Sequence, residues 1–187
     1  MSAADLEALL RVTARGYVGQ SPPEIAFGTV DSPVGRLVLA VTARGVVACS
    51  YEDEHAVFAR IHRNIGSFIG PDPRRLDPVR RELDAYFEGR LRTFSSPVDF
   101  QLVSAFARTV VQMMTAVPYG QVTTYRDIAE RIGRPQALRA VANALAANPV
   151  CLLVPCHRAV EGPSVLGGYA GGPAAKENLL RLEGALG

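Results

Sequence analysis

Residues 124–149 read TYRDIAERIGRPQALRAVANALAANP, and this stretch gives the strongest indication of the fold. Thr124 is suited to cap a helix, and Asp127 follows three residues later in a near capping box. Apolar residues then keep helical spacing up to Gly133, which ends the helix. A second helix is predicted over 136–147. Two short helices joined by a glycine-containing turn form a helix-turn-helix motif.

The second helix of this motif is rich in alanine, and Arg139 is its only charge. Pro135 suits its first turn, and Asn148-Pro149 ends it. Because methyl groups let a backbone approach a narrow groove closely, a smooth helix with one arginine is typical of minor-groove binding. Two structural interpretations stay open. In the first, the two helices pack together in a core. In the second, the alanine-rich helix lies buried in a bundle with Arg139 reaching out to solvent.

Residues 154–158 read VPCHR and place a thiol beside an imidazole and a guanidinium. A thiol attacks only as its thiolate, and neighbouring cationic or basic groups raise the thiolate fraction at neutral pH. Adjacent side chains of an extended chain point to opposite sides. We therefore expect His157 to reach Cys156 through a water molecule or a bend in the backbone. The alternative is a buried structural thiol next to a core histidine.

The composition excludes several classes of protein. With 187 residues, 48% of them apolar, the chain is able to form a proper core. Three cysteines without a CxxC pair favour a reducing compartment, which is the cytoplasm with its nucleoid, or the nucleus in a eukaryote. No apolar run approaches the length of a membrane span, and Asp5 and Glu7 argue against a secretory signal.

Charge and metal-ligand spacing limit the partners. A formal net charge of +2 restricts any DNA contact to a local surface. Cysteine and histidine residues show no spacing that is usual for zinc, so we expect no metal and no cofactor.

The chain divides into three predicted parts. Residues 1–23 form an extension, with a short helix over 5–15 followed by a linker. Residues 24–96 form a small α/β domain, and residues 97–187 form a mostly helical domain. The α/β domain contains three β-rich runs separated by turn signals, which predict an antiparallel meander: Ile25–Val30, Leu37–Thr42 and Val46–Tyr51.

Three further runs have helical spacing. Two lie in the α/β domain, one with Val57, Ile61 and Ile65, the other with Val79, Leu83, Tyr86 and Phe87 before a C-cap glycine at Gly89. The third opens the next domain with Phe106, Val110, Met113 and Val117.

From Val117 to about Gly184 the chain resembles the O6-alkylguanine-DNA alkyltransferases, or methylated-DNA–protein-cysteine methyltransferases. The resemblance is ordered and runs without a gap from Tyr125 to Glu183. It includes Pro118-Tyr119-Gly120, Thr124-Tyr125, Ile128-Ala129, Arg139-Ala140-Val141, Asn148-Pro149, residues 154–158, Gly168-Tyr169, Gly171-Gly172, Lys176, Leu179-Leu180 and Glu183. The resemblance implies an RNase-H-like α/β domain followed by a winged helix-turn-helix domain.

The resemblance also implies direct DNA repair by a monomer that binds duplex DNA through the minor groove. The protein flips an O6-alkylguanine, or an O4-alkylthymine, out of the duplex and moves the alkyl group irreversibly to Cys156. His157 is expected to withdraw the thiol proton through a bound water, Glu183 to hold the imidazole, and Tyr125 to donate to the leaving guanine. Each molecule then acts once.

The resemblance assigns the remaining site residues by position. Arg139 is expected to fill the vacated stack, and Asn148 to fix the turn before the cysteine. Further DNA contacts are expected from Thr124, Ala140, Ala142 and Asn143. The substrate pocket is expected to involve Val154, Pro155, Ala159, Tyr169 and Ala170, with backbone groups near Ala159 and Ala170 reading the guanine edge and Tyr169 forming a lid.

Some residues depart from the family pattern. Ala142-Asn143 replaces the usual glycine-containing sequence, Ala159 replaces a frequent valine, and the turn over 161–164 is unusual. Three rival functions remain. An alkyltransferase-like protein binds alkylated DNA without catalysis, but its cysteine is commonly replaced by tryptophan. A thiol hydrolase would need an oxyanion hole, for which no motif is seen. A plain helix-turn-helix regulator leaves residues 154–158 unexplained.

Overall fold

A computed structural model of the chain describes residues 22–66, 68–162 and 165–186. The predicted helix over 5–15 and most of the 1–23 extension lie outside these residues. Within them, no helix combines the length and the apolar character needed to cross a membrane.

A four-stranded sheet organises the N-terminal half. Its strands are β1 (Ile25–Val30), β2 (Leu37–Thr42), β3 (Gly45–Ser50) and β4 (Ile69–Gly70), in the order β3-β2-β1-β4. The first three form the predicted antiparallel meander. β3 begins and ends one residue earlier than the predicted Val46–Tyr51. Sequence reasoning missed β4, which pairs with β1 in parallel. Two residues are too few to produce a recognisable alternation of side chains.

The alternation of strand side chains divides the sheet into two buried faces. One face packs against α1 (Glu54–Asn64), whose first turn is capped by the Asp53 carboxylate. We call the residues of this layer the sheet core: Ile25, Phe27, Val38, Ala40, Val47, Ala48, Val57, Phe58, Ile61 and Ile69. The other face packs against α2 (Pro73–Phe87) and the C-terminal half. Gly89 has the positive φ expected of a glycine after a helix.

The C-terminal half contains the helices α3 (Ala105–Met114), α4 (Tyr125–Arg131), α5 (Leu138–Ala146) and α6 (Gly172–Leu182). Two short strands, β5 (Thr123–Thr124) and β6 (Ala159–Val160), pair in parallel beside them. On α3 the buried side chains are Val110, Val111 and Met114, whereas Met113 is only half-buried and Val117 lies beyond the helix. The buried face of α3 is therefore rotated relative to the predicted one. The helix is also shorter than predicted, since it ends at Met114.

The helix-turn-helix forms from α4 and α5. Thr124 and Asp127 make the complete capping box, with 3.1 Å from the Asp127 N–H to the Thr124 hydroxyl. Gly133 has φ +70° in the turn. The predicted start of the second helix is wrong, because α5 begins at Leu138. Pro135 instead lies in a turn that closes when the Ala137 N–H donates to the Arg134 carbonyl at 2.9 Å.

Two segments of the C-terminal half attach to the free edge of β3. The Val46 N–H donates to the Pro97 carbonyl at 2.8 Å. Further along the same edge, the Cys49 N–H donates to the Pro149 carbonyl at 2.9 Å, and the Cys151 N–H donates to the Cys49 carbonyl at 2.8 Å. The sheet therefore holds the segment that leads to Cys156.

Candidate active site

Cys156 opens a short 3₁₀ turn, Cys156–Arg158, directly after Pro155. The Arg158 N–H donates to the Pro155 carbonyl at 3.0 Å, and the Ala159 N–H donates to the Cys156 carbonyl. The backbone is therefore bent at Cys156 and His157. A bend was one of the two routes between Cys156 and His157 that sequence reasoning allowed, the other being a bound water.

The thiol of Cys156 is almost fully enclosed, with 3% of the residue exposed. Its sulfur accepts a hydrogen bond from the Asn148 side-chain amide at 3.0 Å. Burial raises the pKa of the Cys156 thiol well above its ordinary value, and the Asn148 hydrogen bond and the Lys176 charge oppose this only in part. The expectation of an enlarged thiolate fraction is therefore wrong for the resting protein. Attack requires a base at the moment of reaction.

Asn148 also fixes the backbone around the cysteine. Its side-chain oxygen accepts from the Val150 N–H at 3.1 Å, and its amide lies 3.3 Å from the Val150 carbonyl and 3.4 Å from the Val154 carbonyl. Sequence reasoning expected these backbone contacts. It did not anticipate the contact with the sulfur, which gives the same side chain an electrostatic effect on the thiol.

His157 is fully buried, and its Nε2 lies 2.9 Å from Glu183 Oε1. An ionised carboxylate only accepts hydrogen bonds, so Nε2 carries the proton in a neutral ring and Nδ1 is left with a free lone pair. Among the described residues, Nδ1 has no hydrogen-bond partner. Burial lowers the pKa of His157 despite the opposing effect of Glu183. A neutral imidazole with one unused acceptor is the form required of a general base.

Glu183 accepts hydrogen bonds from four residues. The Tyr86 hydroxyl donates to Oε1 at 2.6 Å, and Arg158 donates through Nη2 to Oε1 at 2.9 Å and through Nε to Oε2 at 2.8 Å. The Gly120 N–H donates to Oε2 at 3.2 Å. Burial alone would raise the pKa of Glu183, but hydrogen bonds from His157, Arg158 and Tyr86 lower it to about 2. We call Tyr86, Gly120, His157, Arg158 and Glu183 the Glu183 network.

Arg158 thus serves the carboxylate and not the thiol. Its third donor, Nη1, binds the Val117 carbonyl at 2.6 Å. Sequence reasoning gave Arg158 no such role and missed Tyr86 entirely, because the helical spacing of Tyr86 marks it only as a core residue.

A cleft of about 600 Å³ lies between α5 and the loop that precedes α6. It brings together four of the predicted site residues, Tyr125, Arg139, Ala142 and Asn143. The other lining residues are Arg126, Leu138, Ala146, Glu161 and Gly168. Burial raises the pKa of Tyr125, so its phenol keeps its proton and remains a donor. Methyl groups, an exposed guanidinium and a phenol therefore surround one concave surface.

The other predicted site residues are not among those that line this cleft. Thr124 caps α4, and Ala140 is exposed on α5. Val154 and Pro155 are buried, and Pro155 lines a separate cavity of about 220 Å³ shared with Arg158. The structure therefore places Pro155 on this separate cavity and not on the cleft.

The loop over 165–171 contains the last predicted pocket residues. The Tyr169 ring packs edge-on against Tyr51 at 5.6 Å and lies 6.0 Å from the His157 ring, while Ala170 is exposed. Of the unusual turn over 161–164, Pro163 and Ser164 lie outside the described residues.

Lys176 fastens this loop to the site. Its ammonium donates to the carbonyls of Ala159 at 2.6 Å, Gly168 at 3.1 Å and Leu166. Burial lowers the pKa of Lys176 to about 8. Since both backbone groups of Ala159 already have partners, any reading of guanine there depends on the second lone pair of its carbonyl. One signal pointed to Lys176, which is the only lysine in the chain.

In the part of the chain that the structure describes, no three histidine, cysteine, aspartate or glutamate side chains are grouped as metal ligands. Cys49 and Cys151 are buried, and the Cys151 N–H donates to the Cys49 carbonyl.

Two family models match the chain. The model for the 6-O-methylguanine DNA methyltransferase ribonuclease-like domain covers residues 25–100, and the model for the DNA binding domain of the same family covers residues 105–185. The prediction of a ribonuclease-like α/β domain followed by a helical DNA-binding domain is confirmed.

Relatives and solved structures agree with these matches. The methylated-DNA–protein-cysteine methyltransferase of Mycolicibacterium paratuberculosis is 37% identical over 164 residues, which cover 85% of this chain and 92% of the relative. An inducible protein of the same name from Bacillus subtilis is 41% identical over 118 residues, or 63% of this chain and 65% of the relative.

Among solved structures, Mycobacterium tuberculosis O6-methylguanine methyltransferase superposes with a TM-score of 0.73 at 32% identity, covering 86% of this chain and 93% of that one. The same coverage and identity hold for Mycobacterium tuberculosis OGT in complex with DNA, with a TM-score of 0.72.

Proposed function

This chain belongs to the 6-O-methylguanine DNA methyltransferase family and is a methylated-DNA–protein-cysteine methyltransferase, and on that premise we propose that Cys156 is its alkyl acceptor. In this proposal residues 97–187 bind duplex DNA and accept the alkyl group, and residues 24–96 support them. The protein acts as a monomer at the nucleoid on O6-alkylguanine, and on O4-alkylthymine as a second lesion.

The observation that carries the proposal is the orientation of His157. Its Nε2–H binds Glu183 at 2.9 Å, so the unpaired Nδ1 is the basic nitrogen of the ring. We propose that Nδ1 takes the thiol proton through a bound water as the sulfur attacks. The Asn148 amide at 3.0 Å then stabilises the charge that develops on Cys156.

The transfer is a displacement at saturated carbon. A bond forms between Cys156 Sγ and the alkyl carbon while the bond from that carbon to guanine O6 breaks. The leaving guanine gains a proton at a ring nitrogen, and Tyr125 is the donor we propose for it. The proton that His157 took from the thiol then restores the phenol through solvent, so that overall one proton passes from the thiol to guanine. Support comes from its place in the cleft and from its raised pKa, which keeps the phenol protonated. The thioether is stable, so the protein is used once.

A thiol in a pocket reaches only a base that has left the stack. Unpairing and unstacking that base costs a few kilocalories per mole. We propose that α5 lies in the minor groove and that Arg139 fills the vacated position. The exposed Arg139 guanidinium shares one concave surface with Ala142, Asn143 and Tyr125, which supports this docking. Ala142-Asn143 in place of the glycine-containing family sequence still presents only one methyl group and one amide.

The test is incubation with duplex DNA that contains one O6-methylguanine, followed by mass mapping of peptides. We expect one methyl group per protein on Cys156, none in Cys156→Ala, and at least tenfold slower transfer in Arg139→Ala because base extrusion loses its substitute in the stack.

Cys151→Ala is the matched control, since that thiol is equally buried and should not affect transfer. Methylation of Cys49 or Cys151 in the wild-type protein, or repeated turnover, would contradict the assignment. Tight binding to the alkylated duplex without any transfer would favour the non-catalytic alternative.

A further inference from the structure

The Glu183 network contains one residue from the opposite half of the molecule. Tyr86 lies on α2 and is 1% exposed, and its hydroxyl reaches 2.6 Å from Glu183 Oε1. We propose that Tyr86 is a positioning residue for alkyl transfer, which orients the Glu183 carboxylate so that His157 is held with Nδ1 free. This inference rests on the function proposed above and adds a residue that acts through Glu183.

The direction of the Tyr86 hydrogen bond follows from the chemistry of its neighbours. Glu183 is ionised and only accepts, so the phenol must donate to it. The Tyr86 oxygen is also 3.5 Å from His157 Nε2, but the Nε2 proton is directed to Glu183 at 2.9 Å. Burial and the nearby carboxylate raise the pKa of Tyr86, which keeps the donated proton on the phenol. Tyr86 is thus a fixed donor.

Three donors converge on Oε1: the Tyr86 hydroxyl, His157 Nε2 and Arg158 Nη2. Two further donors, Arg158 Nε and the Gly120 N–H, bind Oε2. Arg158 alone leaves the carboxylate free to pivot about the axis of its paired bonds. The Tyr86 hydroxyl removes that freedom because it meets Oε1 from another element. The carboxylate plane, and with it the imidazole, then has one arrangement.

Tyr86 is itself held by packing. Its ring lies 5.4 Å from Phe87, 5.3 Å from Phe94 and 6.2 Å from Tyr119. These contacts connect α2 to the turn before the helix-turn-helix. The sheet-containing half therefore contributes the Tyr86 hydrogen bond to the Glu183 network, in addition to the edge of β3 that holds residues 149–151.

The variant Tyr86→Phe removes the hydroxyl and keeps the ring. We expect methyl transfer from the O6-methylguanine duplex in a single turnover to slow about tenfold, with unchanged DNA affinity. Loss of the Tyr86 donor leaves more negative charge on Oε1, which stabilises the imidazolium and raises the pKa of His157. The acid limb of the pH–rate profile should therefore move to higher pH.

Tyr119→Phe is the matched control. Tyr119 belongs to the same aromatic group, but its hydroxyl donates to the Leu182 carbonyl at 3.0 Å and not to a side chain of the network. We expect this variant to transfer within about twofold of wild type, with the acid limb in place.

The outcomes separate the two proposals. A wild-type protein that transfers no methyl group to Cys156 overturns the proposed function. If wild type transfers and Tyr86→Phe has the same rate and acid limb, the positioning role is wrong. Equal slowing in both tyrosine variants with no movement of the limb makes Tyr86 merely structural and also overturns it.

A measurement on the wild-type protein covers the case in which Tyr86→Phe fails to fold. Nitrogen-15 NMR of the histidine side chains reports which ring nitrogen carries the proton. We expect His157 in the Nε2–H form with an unprotonated Nδ1. The opposite tautomer would show that the Tyr86 and Glu183 arrangement does not set the imidazole, and would overturn the inference.

Discussion

The sheet core and the Glu183 network are both buried, yet they are built on opposite principles. The sheet core consists of ten apolar side chains, including an edge-on pair of Phe27 and Phe58 at 5.6 Å. The Glu183 network buries a carboxylate, a guanidinium, an imidazole and a phenol. Apolar burial is non-directional and roughly proportional to area, whereas charged groups are stable inside a protein only when each is paired.

This difference decides how each region responds to change. Taking Arg158 and Glu183 out of water costs about as much as their attraction returns, so the pair adds little net stability. Removing one partner is different, because the other charge is left buried and unpaired. The sheet core stabilises the fold in proportion to the apolar area that it buries, so it tolerates the loss of a single methyl group. The network depends on directed hydrogen bonds between buried charged groups and tolerates almost no loss.

The largest expected effect follows from Glu183→Ala. The change leaves Arg158 without its carboxylate and His157 without its acceptor, and the free energy of unfolding should fall by about 4 kcal/mol. Transfer should be lost as well, since nothing then holds the imidazole. Urea denaturation and the single-turnover assay measure the two effects.

Glu177→Ala serves as the control for Glu183→Ala. Glu177 lies on the same helix, α6, and pairs with Arg181 at 2.9 Å on the exposed face. Exposed pairs of this kind contribute less than about 1 kcal/mol. If both glutamate variants lost similar stability, the contrast between buried and exposed pairing would fail.

Acid should weaken the network selectively. Glu183 has an ordinary pKa of 4.5, lowered to about 2 in the folded protein. The stability that this shift provides is present above pH 4.5 and is lost as pH falls towards 2, a total of about 3 kcal/mol. The variant Glu183→Gln has no titratable carboxyl group at this position. The difference in unfolding free energy between wild type and Glu183→Gln should shrink by this amount between about pH 6 and about pH 2. A difference that stays constant with pH would contradict the assigned pKa.

The sequence alone predicts the sheet core well and the network poorly. The bounds of β1 and β2 follow from their β-rich composition and the turn residues between them, and the cap of α4 follows from Thr124 and Asp127. These are signals between neighbours along the chain. Tyr86 and Glu183 are 97 residues apart, and no local pattern connects them. His157 and Glu183 were linked only through the family resemblance.

Two other predictions were wrong because they ignored burial and packing. Sequence reasoning treated cationic neighbours as activators of Cys156. In the fold, Arg158 turns to Glu183 and the enclosed thiol has a raised pKa. Pro135 was assigned to a helix on propensity, but a hydrogen-bonded turn over 134–137 occupies that position. Such outcomes depend on packing between distant segments, which residue types do not specify.

The smallest expected effect tests the sheet core. Ile61 is fully buried on α1, and Ile61→Val removes one methyl group, which should lower the unfolding free energy by about 1 kcal/mol. Transfer should keep its wild-type rate, because α1 covers the face of the sheet that is turned away from Cys156. The edge of β3 nevertheless holds residues 149–151, which connects the sheet directly to the segment before the cysteine turn. A transfer rate that fell in step with stability would mean that the two regions are mechanically coupled through this edge. An unchanged rate at reduced stability would mean that the sheet core supports the fold without affecting the geometry of the cysteine turn.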